Sequence, residues 1–220
     1  MPLARDTARA QETGAHMDKQ TFLDRARQAC EQPAFYWLGS GGWAQGQTPG
    51  AGPATPLDID AALEEKRRTD PKVHARYVAE EARSGIDRST LPPLACDCSG
   101  YVCWSLGIAR NGWPKATDWF NTDGMLRDAN GPKRWFVPIE AAVVAALLVH
   151  PAPSRNGGPG HVGIVTEVDA AGKATRMLHC SAVNYLLTPP PGLPRNAIAE
   201  TDTTYFDGEK TQILMWKAFA

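Results

Sequence analysis

The order of patterns along the 220 residues predicts an α+β fold, with helices first and antiparallel strands afterwards. Three observations carry that prediction. Before residue 85, apolar residues recur at helical spacing. After residue 145 come short runs rich in β-branched residues and bounded by Gly and Pro. Between them, Asp97-Cys98-Ser99-Gly100-Tyr101-Val102 follows Pro92-Pro93 and opens an apolar run through Trp104 and Leu106. The prolines bias the chain before Cys98 toward extended structure, Val102 and Leu106 lie four apart, and Gly107 supplies a helix stop. The expected centre is therefore a helix that begins at Cys98 and packs on an antiparallel sheet.

Residues 1–20 are polar and Ala/Arg-rich without apolar periodicity, which predicts a flexible N-terminal tail in which Met17 is a candidate alternative start. The remainder, 21–220, reads as one domain. Thr21 with Asp24 three residues on reads as a helix cap, and Phe22, Ala26, Ala29 and Cys30 trace one face. Cys30 is then a core residue, because free cysteine behaves as a small buried hydrophobe. The aromatic segment Phe35-Tyr36-Trp37-Leu38 runs into glycines, and 43–56 is a Gly/Pro/Ala-rich loop. Ile59, Ala62 and Leu63 form a short helical stripe. Asp70-Pro71 starts a second helix, with Ala75, Val78, Ala79 and Ala82 on one face before Gly85.

Beyond Gly107, Trp113, Trp119, Phe120, Trp135 and Phe136 either line a groove or, as is commoner, close a core under long loops. Residues 145–150 form a short buried strand ending in His150. The run Gly160-His161-Val162-Gly163-Ile164-Val165 and the run ending in His179 flank Asp169-Ala170-Ala171-Gly172, so they read as a β-hairpin. A three-residue loop, 169–171, would set His161 directly opposite His179, with Cβ atoms ~4.5–5.5 Å apart on one face. Pro189 to Pro194 is a rigid loop, and 203–206, Asp207-Gly208 and 212–219 suggest a closing hairpin.

The chemistry follows from Cys98 in a first helical turn. Unpaired N–H groups and the helix dipole there stabilise a thiolate, and such settings lower a thiol pKa from ~8.5 to ~3.5–7.5. A cysteine nucleophile needs a histidine to handle the proton of the leaving amine, and an orienting group behind it. His161 on a strand is the candidate base and His179 the orienting residue, with His150 a rival for the base. His16 and His74 read as tail and exposed helix face.

The ordered set Asp97 to Val102, Gly160 to Ile164 and His179-Cys180-Ser181 resembles the NlpC-type bacterial cell-wall cysteine peptidases of the papain-like superfamily. The likeness covers roughly residues 93–183. It implies a papain-like fold in which the nucleophile helix packs on an antiparallel sheet bearing two histidines. It further implies Cys98 as nucleophile, His161 as general base, His179 as orienting residue, and Asp97, Ser99 and Tyr36 as substrate-binding residues, the first two reading a free amine. Such peptidases place the Tyr-bearing aromatic segment about a dozen residues before the nucleophile. Tyr36 and Cys98 are 62 apart, so residues 43–92 read as an insertion that forms either a lid or substrate wall, or a packing elaboration. The implied activity is cleavage of an amide in a peptidoglycan stem peptide, between D-glutamate and the diamino acid. An amidase on the same scaffold is the alternative, and the cysteine preceding the histidine in the chain favours the peptidase over lipid-acyl relatives.

Composition excludes other classes. A net charge of -1 and no basic run longer than Lys66-Arg67-Arg68 give no footprint for nucleic acid or an anionic membrane. No apolar stretch approaches the ~20 residues of a membrane span, and residues 1–20 lack the apolar core of a secretory signal, so the chain is expected to be cytoplasmic as synthesised. Peptidoglycan as partner then requires a recycling role on imported fragments, a phage-encoded or specially secreted toxin, or a leader missing from this sequence; a toxin would come with an immunity partner. Five cysteines fit a reducing compartment. A zinc site from Cys96, Cys98, Cys103 and Cys180 is disfavoured by the spacing, so neither metal nor cofactor is expected. A non-catalytic module that binds cell-wall fragments is the remaining alternative.

Overall fold

The computed structural model describes residues 17–42, 52–84, 87–108 and 120–220. It is α+β, with helices ahead of a six-stranded antiparallel sheet. Helix α1 spans Lys19–Gln28, and its cap is Asp18, whose carboxylate accepts from the Thr21 amide at 2.7 Å. The cap expected at Thr21 is thus supplied three residues earlier, and α1 begins inside the span expected as tail. Residues 1–16 lie outside the described residues. Phe22, Ala26 and Ala29 are buried, as the helical spacing predicts, and Leu23 is buried beside them.

A small sheet follows, with β1 (Phe35–Tyr36) and β2 (Thr55–Pro56) on either side of β3 (Leu94–Cys96). The β1–β3 pair is parallel, with Phe35 opposite Ala95 and Tyr36 opposite Cys96. Between β2 and β3 stand α2 (Ile59–Thr69) and α3 (Pro71–Ser84), capped by Asp58 and Asp70. The inward face of α3 is not the expected one: Ala75, Val78, Ala79 and Ala82 are exposed, whereas Tyr77 stacks on Trp37 with centroids 4.3 Å apart. One large ring buries more area than several alanines, and it set the rotation of the helix.

Helix α4 (Cys98–Ser105) leads out of β3, with all eight residues buried. It packs on the large sheet and is covered on its other side by α1, so it has no polar face to show. After α5 (Thr122–Asn130) come β4 (Phe136–Pro138), β5 (Leu147–His150), β6 (His161–Val168), β7 (Ala174–Cys180), β8 (Ile198–Asp202) and β9 (Gln212–Trp216), in the spatial order β4-β9-β5-β6-β7-β8. The closing hairpin does not form. Residues 204–206 are a 3-10 turn, and β9 instead crosses the sheet to pair with β4 and β5. Trp135, stacked at 5.3 Å, and Phe136 pack on Trp216, and Phe120 sits edge-on to both of them, so these aromatics close a core; Trp113 and Trp119 lie outside the described residues.

The central hairpin forms with a different register. Val168 pairs with Ala174 across a five-residue loop, 169–173, in which the Asp169 carboxylate accepts from the amides of Ala171 and Lys173 at 2.9 Å each. Ile164 then faces Leu178, and one step outward Gly163, not His161, faces His179. Because the slip is two residues, the parity of the pleat is kept and both histidines still project from one face. The residue directly opposite His161 is His150 on β5.

Candidate active site

The start of α4 is fixed by Asp97. One carboxylate oxygen accepts from the Gly100 amide at 2.8 Å and the Ser99 hydroxyl at 3.1 Å; the other accepts from the Gly39 amide at 2.7 Å. The Asp97 amide donates to the Ser40 carbonyl at 2.9 Å. Asp97 therefore caps the helix and ties it to the turn after Tyr36 and Trp37. Gly39 has φ +95°, a conformation that disfavours a side chain, which explains a glycine at the point where the chain bends toward that carboxylate. Asp97 and Ser99, expected to read a free amine, are buried and bonded to each other; the geometry gives them the placing of Cys98.

Cys98 is the first residue of α4, so its amide belongs to the turn whose N–H groups have no intrahelical acceptor. Its Sγ lies 3.9 Å from the carbonyl of Gly160, the residue before His161. A Cβ on Gly160 would stand 2.3 Å from Thr122 Oγ1 and 2.7 Å from the His150 carbonyl, so only glycine lets β6 pass this close. Tyr36, 62 positions earlier, is brought beside Cys98 by the β1–β3 pairing. Burial, then the neighbouring Cys98 and Asp97, push its phenol well above the usual range, so the hydroxyl keeps its proton.

A chain of hydrogen bonds runs back from His161. Its Nε2 lies 2.7 Å from His179 Nδ1, and His179 Nε2 lies 3.0 Å from Thr201 Oγ1. The Thr201 hydroxyl donates to the Asp202 carbonyl at 2.7 Å. A hydroxyl has one hydrogen and a carbonyl can only accept, so Thr201 accepts from His179 Nε2–H. His179 Nδ1 must then accept from His161 Nε2–H, and His161 Nδ1 carries the free lone pair. The tautomers follow from the bonds. Burial, and then His179 and His150, hold the His161 imidazolium pKa well below the ordinary value of 6.5. Burial brings His179 down to about 4 against the raising effect of Asp202. Both rings are neutral near pH 7.

His150 is occupied differently: its Nδ1 donates to the Pro151 carbonyl at 3.1 Å and lies 4.0 Å from a Glu209 carboxylate oxygen. Tyr205, half-exposed on the turn after β8, lays its ring 4.2 Å from that of His161 and 5.4 Å from that of His179. Asn184 supports the strand end by donating to the carbonyls of His179 and Ala197 at 2.9 and 3.0 Å. Thr201, Tyr205 and Asn184 were invisible to sequence reasoning. A threonine in a strand and a tyrosine in a loop carry no signal until the β7–β8 pairing sets Ala199 against His179.

Cys96 and Cys180 share a side-chain hydrogen bond, with Cys98 close by. Cys103 Sγ points to the Phe120 carbonyl, Cys96 Sγ to the carbonyls of Pro53 and Asp97, and burial raises Cys180 well above the usual thiol range. Cys30 is pushed up to about 11 by burial and then by Glu200 and Glu31. Among the described residues no three His, Cys, Asp or Glu side chains are grouped to hold a metal ion, and no helix is long and apolar enough to cross a membrane. The chain matches no protein-family model and no curated protein.

Proposed function

We propose that the protein is a thiol hydrolase of papain-like architecture that cleaves an amide, with Cys98 as nucleophile, His161 as base and His179 as orienting residue. The single observation that carries this reading is the polarity of the hydrogen-bond chain from Asp202 through Thr201 and His179, which leaves a lone pair on His161 Nδ1 at the start of the strand that approaches Cys98. The thiol proton passes to Nδ1 as sulfur bonds to the carbonyl carbon. The C–N bond breaks and the same proton leaves on the amine. Water, deprotonated by His161, then attacks the thioester; the C–S bond breaks and the thiol is restored. The Cys98 amide and the protonated Tyr36 hydroxyl supply oxyanion donors, a contribution typically of ~10²–10³ in rate.

The motif order supports a peptidoglycan stem peptide as substrate, cut between D-glutamate and the diamino acid. Purified peptidoglycan and its soluble fragments are digested by wild type and by Cys98→Ala, with products read by mass spectrometry. Cleavage by wild type alone is the expected result, and the product masses distinguish endopeptidase from amidase. Absence of cleavage, with Cys98 unreactive toward iodoacetamide near neutral pH, would overturn the hydrolase reading.

A further inference from the structure

While the thiol proton is on Nδ1, His161 carries a positive charge in surroundings that offer it no counter-ion. The ring is buried, and among the described residues it pairs with no carboxylate. The titratable groups that act on its charge are His179 on β7 and His150 on β5, and both oppose it. The nearest acids serve those two rings instead: Asp202 acts on His179, and Glu209 lies 4.0 Å from His150.

What does face His161 is aromatic. Tyr205 sets its ring 4.2 Å away, centroid to centroid, with the planes 37° apart, and Phe206 follows at 5.6 Å. The turn that carries both is fixed where it leaves β8. The Asp202 carboxylate accepts from the Thr204 amide at 3.0 Å, and the Thr203 hydroxyl donates to the Ala174 carbonyl at 3.2 Å. Phe206 is buried between His150 and His161, whereas Tyr205 covers the base from outside. An aromatic face carries the negative part of the ring quadrupole and attracts a cation within ~6 Å of its centroid, more strongly where water is excluded. Tyr205 thus removes water from His161 and offers a fixed π face in its place, which needs no reorganisation during reaction.

We propose that Tyr205 is a positioning residue of the site, whose π face stabilises the imidazolium that His161 becomes as Cys98 attacks. It takes the part that a carboxylate beside the ring would play. The imidazolium gains more from the contact than the neutral ring does, so the contribution falls on the transition state. The inference rests on the thiol-hydrolase reading, in which His161 is the group that takes the proton.

Alkylation of Cys98 reads this contribution without a substrate, because the sulfur again gives its proton to His161 as it attacks. Full-length wild type, Tyr205→Phe and Tyr205→Leu are treated with iodoacetamide at pH 7, and modification of Cys98 is followed by peptide mass spectrometry. The first change keeps the π face; the second keeps apolar cover without it. At a position 42% exposed, neither opens a core cavity. Tyr205→Phe should react within about two-fold of wild type and Tyr205→Leu about three- to thirty-fold more slowly, the range of a cation–π contact from exposed to desolvated. Faster alkylation of Tyr205→Leu would mean that the ring only blocks access to the sulfur. Equal rates, or a Tyr205→Phe as slow as Tyr205→Leu, would likewise overturn the proposal. A wild type unreactive at Cys98 would strike the hydrolase reading and this role with it, whereas a reactive wild type with an unaffected Tyr205→Leu strikes the role of Tyr205 alone.

Discussion

The hydroxyl of Thr201 has one hydrogen, and spending it on the Asp202 carbonyl makes Thr201 an acceptor for His179. Thr201→Val should therefore lower kcat about three- to ten-fold with KM little changed, since the ring loses its orienting bond but keeps its shape. A proportional rise in KM would instead indicate a disturbed pocket. His179→Ala should cost more, about 10- to 100-fold in kcat, yet less than Cys98→Ala, because water can replace an orienting group but not a nucleophile. Equal, complete losses in steady-state assays would mean that His179 does more than orient. Cys98 was legible in the sequence from its proline-led, glycine-stopped helix. Thr201 was not, because its role depends on which strand lies beside β7.

At the level of elements, Asp97 joins helix α4 to the β1 turn through bonds to Gly100, Ser99 and Gly39. Asp97→Ala removes an N-cap, a loss of ~0.5–2 kcal/mol, and strands the Gly39 amide, a further cost of ~1 kcal/mol or more. A destabilisation of about 2–3 kcal/mol by urea unfolding is expected, together with lost activity. Full stability with lost activity would give Asp97 the substrate-reading role that the motif resemblance implies. The β6–β7 hairpin illustrates a different limit. Its alternation fixed the face on which His161 and His179 lie, but the Asp169 turn takes five residues and not the three that the turn pattern predicts, which moves the register by two. An even slip leaves the face unchanged, so the two rings still meet, as a diagonal contact.

For the whole molecule, burial beneath α4 and Tyr205 keeps both histidines neutral. Each binds fewer protons folded than unfolded as pH falls below about 6.5, so the stability they contribute is complete above that value and is lost toward the folded pKa. For His179, with a folded value of about 4, the loss by pH 4 is roughly 3 kcal/mol. Denaturant unfolding at pH 7, 5.5 and 4 should show this decline, and His179→Asn should flatten part of it. A profile identical in wild type and variant would show that His179 does not titrate with folding. The same depression predicts that the acid limb of kcat/KM falls below pH 6, since His161 stays a base there.

Local pattern by itself determined the helix start at Cys98, the strand character of the runs bearing His161 and His179, and an α+β order, because these rest on spacing and on residues adjacent in the chain. Contacts between distant segments were decided only by tertiary structure. Parallel pairing of Tyr36 with Cys96 erases the 62-residue gap to the nucleophile, Tyr77 rather than the alanines turns α3 inward, and β9 crosses to β4 and β5 instead of closing a hairpin. Each of these outcomes is set by which large apolar surfaces can be buried together and which sheet edges remain to be paired, quantities that belong to the assembled core and not to any one stretch of sequence.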